Sequence, residues 1–297
     1  MTAAIAPTHE FDVRTADGRT LHAYEAGDPA GALVIVHHGT PGSGLLAGPW
    51  ADDAQARGIR LVGFDRAGYG GSDRHVGRTV ADVVSDTAAI ADALGVRRFR
   101  TWGVSGGGPH VLACAALLPE RVVAAVCLAG VAPYGAEGLD WLAGMGEDNV
   151  EEFGAALAGE QTLRDYLDSQ RAGFLASTSA TLLMQMETLL PPVDKAVMSG
   201  DLATFMYAWM TSGLRTDANG WLDDDVAFTR NWGFDLADIA VPVRLIQGAH
   251  DLMVPFAHGQ WLGEHVPGVN FELSPDDGHL TLLTDIGRTH AWLMGRP

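Results

Sequence analysis

Cysteine is nearly absent from this chain: Cys114 and Cys127 are the only two in 297 residues, each inside an apolar run. So sparse a supply excludes a disulfide framework, and two core thiols suit a reducing compartment. Long hydrophobic runs are missing as well. No window approaches the roughly 20 apolar residues a spanning helix needs. Met1 to Glu10 has neither a positive start nor an apolar stretch of signal-peptide length. Positive charge is scarce, with 19 Lys+Arg against 37 Asp+Glu, a net charge of −18 and a pI near 4.8. Nucleic acid or an anionic membrane would need a basic face to displace counterions, so neither is expected as a partner. Metal-binding patterns are absent too: there is no H-E-x-x-H, no C-x-x-C, and the 11 histidines are scattered. These absences point to a cytoplasmic protein without a metal; a small-molecule partner, no cofactor, and a monomer or homodimer complete the expectation, the last of which composition does not determine.

What the chain does have is alternation. It opens with a hairpin pattern, Phe11 to Arg14, an Asp17-Gly18 turn, then Thr20 to Glu25. Short apolar runs follow at Leu33 to Val36, Leu61 to Phe64, Thr101 to Val104, Val122 to Leu128, Val243 to Ile246 and Val269 to Leu273. Strands of a parallel sheet, covered by helices on both faces, read this way. Helical candidates lie between them, such as Val80 to Leu94 and Pro109 to Leu118, the latter stopped by Pro119. The expectation is an α/β protein with a mostly parallel, doubly wound sheet and an N-terminal antiparallel hairpin. The alternation stops near Pro133 and resumes near Val241. Helical segments fill the gap, at Glu160 to Ala176, Ala180 to Leu190 before Pro191-Pro192, and Asp201 to Gly213. Residues 1–133 and 235–297 therefore read as a core, and 134–234 as an inserted helical cap over the strand ends.

The strongest chemical signal is Trp102-Gly103-Val104-Ser105-Gly106-Gly107-Gly108-Pro109, a G-x-S-x-G between an apolar strand and a helix. A nucleophile raised on so tight a turn needs small neighbours two positions either side, and Gly103 and Gly107 supply them. Pro109 falls in the first helical turn, where its missing N–H costs nothing. The Gly106 N–H would then point, with the positive helix end, at an oxyanion formed on a carbonyl attacked by Ser105. A glycine-rich phosphate loop is the rival reading. It wants glycine where Ser105 stands and an acid ending the next strand, which instead ends Leu128-Ala129-Gly130.

The second signal is His37-His38-Gly39-Thr40-Pro41-Gly42, directly after the run Leu33 to Val36. If the two strands are near neighbours, this loop lies beside the nucleophile turn, and the Thr40 N–H becomes the second oxyanion donor. A plain turn closing a strand is the alternative.

With these motifs the chain resembles the α/β-hydrolase superfamily, whose members carry an HG-x-P loop, a D-x-x-G-x-G-x-S turn and a G-x-S-x-G elbow in that order. The middle motif here is Asp65-Arg66-Ala67-Gly68-Tyr69-Gly70-Gly71-Ser72. The resemblance spans the chain except the cap and implies a triad in the order nucleophile, acid, histidine. It places the acid at Asp251, in Gln247-Gly248-Ala249-His250-Asp251, and the histidine at His279, in Asp276-Asp277-Gly278-His279-Leu280. Imidazole has a pKa near neutrality and can take the serine proton, while a carboxylate fixes its tautomer. Asp276 and Asp277 read as turn formers and His290 as structural. His250, beside Asp251, is expected to turn its ring elsewhere. Asp65 and Ser72 read as loop supports, and His110 is either packed or a substrate contact.

The cap concentrates Trp141, Phe174, Met184, Met186, Met198, Phe205, Met206, Trp209 and Met210. Most belong to core at helical spacing, and the remainder would line an apolar pocket over Ser105. Substrate contacts are expected from His38, Met184, Met206 and Trp209. Cap acids Glu187, Asp194 and Asp201 read as a solvated face, with a hold on a substrate amine as the alternative. The leading function is hydrolysis of a carboxylic ester or lactone through an acyl-enzyme. Proline iminopeptidase-like relatives share the HG-x-PG loop but carry glycine where this chain has Thr40. Haloalkane dehalogenases and epoxide hydrolases use aspartate where Ser105 stands. A non-catalytic ligand-binding protein on the same fold stays open, because fold does not dictate function.

Overall fold

A computed structural model describes residues 4–295; residues 1–3 and 296–297, assigned above to the core and to the segment tested for a leader, lie outside the described residues. Among the described residues eight strands form one sheet: β1 His9–Arg14, β2 Thr20–Gly27, β3 Ala32–His37, β4 Ile59–Phe64, β5 Phe99–Val104, β6 Val122–Leu128, β7 Val243–Gly248 and β8 Asn270–Ser274. Their order is β1-β2-β4-β3-β5-β6-β7-β8. The hairpin β1–β2 is antiparallel and joins β4 antiparallel, while β4, β3, β5, β6, β7 and β8 run parallel. This is the doubly wound sheet expected from the alternating runs.

Side-chain alternation along each strand divides the interior in two. Val34 and Val36 face a core with Leu61, Trp102 and Val126, shared with Trp50 of helix Gly48–Arg57 and Leu293 of helix Ile286–Leu293. Leu33 and Ile35 face the other core with Val62 and Phe64, covered by Ile90 of helix Val83–Ala93, Leu112 of helix Gly107–Leu117 and Leu262 of helix Phe256–His265. A period of two on strands buried on both faces produces this split. The last strand departs from it. β8 is an edge strand, and its Leu273 is exposed.

Between β6 and β7 every element is helical, from Glu147–Ala158 through Glu160–Ala176, Pro192–Val197 and Gly200–Gly213 to Asn219–Phe228. The expected continuous helix from Ala180 to Leu190 is instead a four-residue turn, Leu182–Gln185, and a 3-10 turn, Glu187–Leu189. Leu190 precedes Pro191 and takes the extended conformation that proline imposes on its predecessor (φ −107°, ψ 112°). The helical segment docks through Phe205, Met206, Trp209 and Met210, which share the core of Trp50 and Trp102. Of the nine bulky residues noted above, all but Met184 are buried. No helix among the described residues is long and apolar enough to cross a membrane.

Candidate functional site

The parallel strands all end on one edge, and the chemistry-bearing loops leave from it. β3 and β5 are direct neighbours, with His37 opposite Gly103, so the His37–Gly42 loop lies against the Ser105 turn. Ser105 has φ +56°, a left-handed conformation that a non-glycine residue holds only where its surroundings enforce it, at about 1–3 kcal/mol. Its N–H donates to Leu128 O at 2.8 Å, and its carbonyl accepts from Gly108 N at 2.8 Å. The turn also needs glycine at 107, where a Cβ would stand 2.1 Å from the His37 carbonyl oxygen. Strain at a serine raised between strand and helix is the local signature of a nucleophile turn.

Asp251 leaves the end of β7 and is buried. Its Oδ1 accepts the N–H groups of Met253 (2.8 Å) and Val254 (2.9 Å), and Gln247 Nε2 reaches its Oδ2 at 3.2 Å. The same Gln247 amide donates to Val254 O at 2.7 Å, so a strand residue locks the acid's loop. His279, after β8, places Nδ1 at 2.7 Å from Asp251 Oδ2. With Nδ1 donating there, Nε2 is left as the acceptor. Burial pulls the imidazole pKa down, but the Asp251 charge and hydrogen bond, with a further contribution from Asp194, outweigh it and hold the value above the ordinary histidine range. Ser105 and His279 line one cavity of about 90 Å³. The cavity wall is apolar at Met186, Leu189, Met206, Trp209 and Met210, and polar at Asp148, Asn149 and Glu152.

Thr40 and Gly106 face each other beside Ser105: a Cβ on Gly106 would meet Thr40 Oγ1 at 2.3 Å. Together with Ser105 they line a second, smaller cavity of about 40 Å³. Neither N–H, of Thr40 or of Gly106, has a backbone acceptor among the described residues. The loop carrying Thr40 is tied down from behind. Thr40 Oγ1 donates to Asp224 Oδ2 at 2.6 Å, and Arg66 bonds the carbonyls of His38 and Gly39 while pairing with Asp224 at 2.5 Å. Arg78 (2.6 Å), Tyr69 (2.8 Å) and His110 Nε2 (3.4 Å) also surround this fully buried carboxylate. Desolvation would raise the Asp224 pKa, but Arg66 and Arg78 together hold it well below the carboxylate range. Asp224 escaped sequence reading because Asp223-Asp224-Asp225 looks like a solvated acidic run, and its guanidinium partners, Arg66 and Arg78, are over 140 residues away in the chain.

Two expected substrate contacts are not found at the cavity. His38 is buried, with Nδ1 bonded to Gly39 O (2.7 Å) and Nε2 accepting from Arg66 N (3.0 Å), so the ring braces the loop. Met184 is 71% exposed, because the broken helix turns it outward, and Met186 lines the wall instead. Met206 and Trp209 do line it, and the buried Trp209 indole N–H has no hydrogen-bond acceptor among the described residues. Asp194, read above as part of a solvated face, is fully buried and bonds the backbone of the His279 loop. Asp65 accepts from Gly44 and Gly71 N–H as a loop support, His290 bonds Asp53, His110 packs against His37 and Val80 O, and His250 is exposed. Among the described residues no group of three or more His, Cys, Asp or Glu side chains is arranged to hold a metal ion.

Comparison with known proteins agrees with this architecture. The chain is 29% identical to a non-heme chloroperoxidase of Streptomyces lividans, over 82% of this chain and 83% of that protein. It is 27% identical to a pimeloyl-[acyl-carrier protein] methyl ester esterase of Nitrosomonas europaea (85% and 90%), and 26% identical to a proline iminopeptidase of Xanthomonas citri (93% and 92%). Among solved structures, a bromoperoxidase from Bacillus anthracis superposes with a TM-score of 0.71 at 20% identity, covering 97% of this chain and 100% of that one. The family model for the alpha/beta hydrolase fold matches residues 32–286, and the chain belongs to that family of hydrolases.

Proposed function

We propose that the protein is a serine hydrolase that cleaves a carboxylic ester or lactone through an acyl-enzyme, with Ser105 as nucleophile, His279 as base and Asp251 as its orienting acid. The observation that carries this reading is the strained Ser105 sharing a cavity with a histidine whose Nδ1 is bound to a buried aspartate. Nε2 of His279 takes the Ser105 proton as Oγ adds to the carbonyl carbon. The Gly106 and Thr40 N–H groups hold the resulting oxyanion, each such donor being worth roughly 100- to 1000-fold in turnover. The imidazolium then protonates the leaving alcohol; the neutral imidazole so restored takes a proton from water as its oxygen adds to the acyl carbon, and returns that proton to Ser105 Oγ as the bond to the acyl group breaks and the acid leaves. Segment 134–234 serves as the cap that closes the cavity. The Trp209 N–H is available to an acceptor on the substrate. The free, buried Cys114 and Cys127 fit a cytoplasmic setting.

A second reading, aminopeptidase or amidase, is favoured by one feature. Glu152 and the fully buried Asp225 line the small cavity with Ser105, and among the described residues the Glu152 carboxyl is the hydrogen-bond partner placed against Asp225. Burial pushes the Glu152 carboxyl up to about 7, and burial beside Glu152 raises Asp225 well above the carboxylate range, so the pair retains a proton near neutrality. A pair of net charge −1 complements a substrate ammonium, and the iminopeptidase relative supports this reading.

The deciding experiment is labelling with a fluorophosphonate probe, with p-nitrophenyl esters and aminoacyl p-nitroanilides compared as substrates. Ser105 is expected to be the labelled residue, and Ser105→Ala to abolish turnover. A folded protein that takes no label is a ligand-binding relative, and undiminished turnover in Ser105→Ala places the chemistry elsewhere.

A further inference from the structure

The geometry points to Asp194 as a positioning residue that ties the helical segment between β6 and β7 to the imidazole of His279. The inference rests on the triad proposed above. Asp194 sits on the short helix Pro192–Val197 and is fully buried. Its Oδ2 accepts the backbone N–H of His279 at 2.7 Å, and its Oδ1 accepts those of Leu280 and Thr281, both at 2.9 Å. Three N–H groups that open the 3-10 helix Thr281–Asp285 thus end on one carboxylate from a distant part of the chain. The site is shaped for this approach. A Cβ on Gly278 would lie 2.4 Å from Asp194 Oδ2, and Gly278 N is taken by Thr281 Oγ1 at 2.8 Å. Only a residue without a side chain at 278 lets the carboxylate reach the backbone.

Two consequences follow for the reaction. The His279 backbone is held from the helical segment while its ring is held by Asp251 from the core, so the imidazole is aimed only when the segment is docked. Opening for substrate must then occur elsewhere in the segment than at helix Pro192–Val197. Charge is the second consequence. The imidazole is acted on by Asp251 and Asp194; Asp148 and Glu152 line the same cavity, and Asp277 is occupied by Ser274 and Arg288. Asp194 therefore stabilises the imidazolium that forms when Ser105 is deprotonated, without touching the substrate.

The test is Asp194→Asn, read by circular dichroism, kcat and KM for a short p-nitrophenyl ester, and the pH profile of kcat/KM. The carboxamide sets an NH2 group against backbone donors and removes the charge. In a folded variant kcat is expected to fall about 10- to 100-fold, the loss typical of a small misplacement of a catalytic group. KM changes far less, and the acid limb moves to lower pH because the imidazolium has lost an anionic neighbour. Gly278→Ala crowds the carboxylate but keeps its charge, so kcat falls while the limb moves less. A folded Asp194→Asn with wild-type kcat overturns the inference, and so does a loss of kcat with an unmoved acid limb. Should Asp194→Asn not fold, Gly278→Ala decides: wild-type kcat, or failure to fold there too, reduces Asp194 to a purely structural carboxylate. A wild-type protein in which Ser105 takes no label defeats the triad reading first, and this inference falls with it.

Discussion

The Thr40 hydroxyl donates to Asp224 Oδ2 at 2.6 Å, joining the loop after β3 to helix Asn219–Phe228. Through Arg66, which bonds the same carboxylate and the carbonyls of His38 and Gly39, one buried acid fixes the loop that carries a proposed oxyanion donor. Asp224→Asn strips two buried guanidinium groups of their anion and is expected to cost about 3–5 kcal/mol. Thr40→Val removes the bond donated to Asp224 and the one accepted from Arg66 Nη2 at 3.0 Å but leaves both guanidinium groups their anion, at about 1.5–3 kcal/mol. Urea unfolding measures both. Equal losses would mean that Arg66 and Arg78 do not depend on Asp224 as described.

Asp251→Asn keeps the shape of its site but favours the wrong tautomer of His279. A fall in kcat of about 10,000-fold is expected, as in other serine triads. In the wild type the raised His279 pKa means that kcat/KM is lost as pH falls through a value above the ordinary histidine range, because the protonated ring cannot accept the serine proton. An acid limb at or below pH 6 in the wild type would contradict the Asp251–His279 coupling.

The cavity over Ser105, about 90 Å³, is smaller than the roughly 150 Å³ that takes benzene in an engineered protein interior. Acetyl and butyryl esters should therefore exceed octanoyl esters in kcat/KM by roughly 10-fold or more. Met206→Ala enlarges the wall and should narrow that ratio, at about 2–5 kcal/mol of stability. An unchanged ratio in that variant places the acyl group elsewhere.

Glu152 offers a stability test with a definite sign. Its folded-state pKa, about 7, lies above the unfolded value, so the folded protein binds the extra proton and stability declines as pH rises from the unfolded pKa through 7. Glu152→Gln keeps an acceptor for the Trp221 indole, 2.9 Å from Glu152 Oε1, and removes the charge. Thermal melts should show Glu152→Gln more stable than wild type at pH 8, by about 2–4 °C for each kcal/mol gained, with the gap closing toward pH 4. A gap that widens on acidification would refute the shared-proton picture of Glu152 and Asp225.

Much of this molecule was legible in one dimension because its signals are local. Apolar runs two-sided in burial announced β3 to β7, and the residues around Ser105 announced a turn that only small neighbours permit. Asp251 and His279 were placed by resemblance, since nothing between residues 251 and 279 states that they meet. The sequence by itself determined the alternation of strand and helix and the strained turn, because periodicity and backbone sterics act over a few residues. Only the tertiary structure decided which charged side chains are buried. Asp194 and Asp224 look like any surface acid along the chain, and they become internal because their donors, backbone N–H groups at 279–281 and the guanidinium groups of Arg66 and Arg78, are brought to them by folding. Desolvation is overcome by partners, and partners are a property of three dimensions.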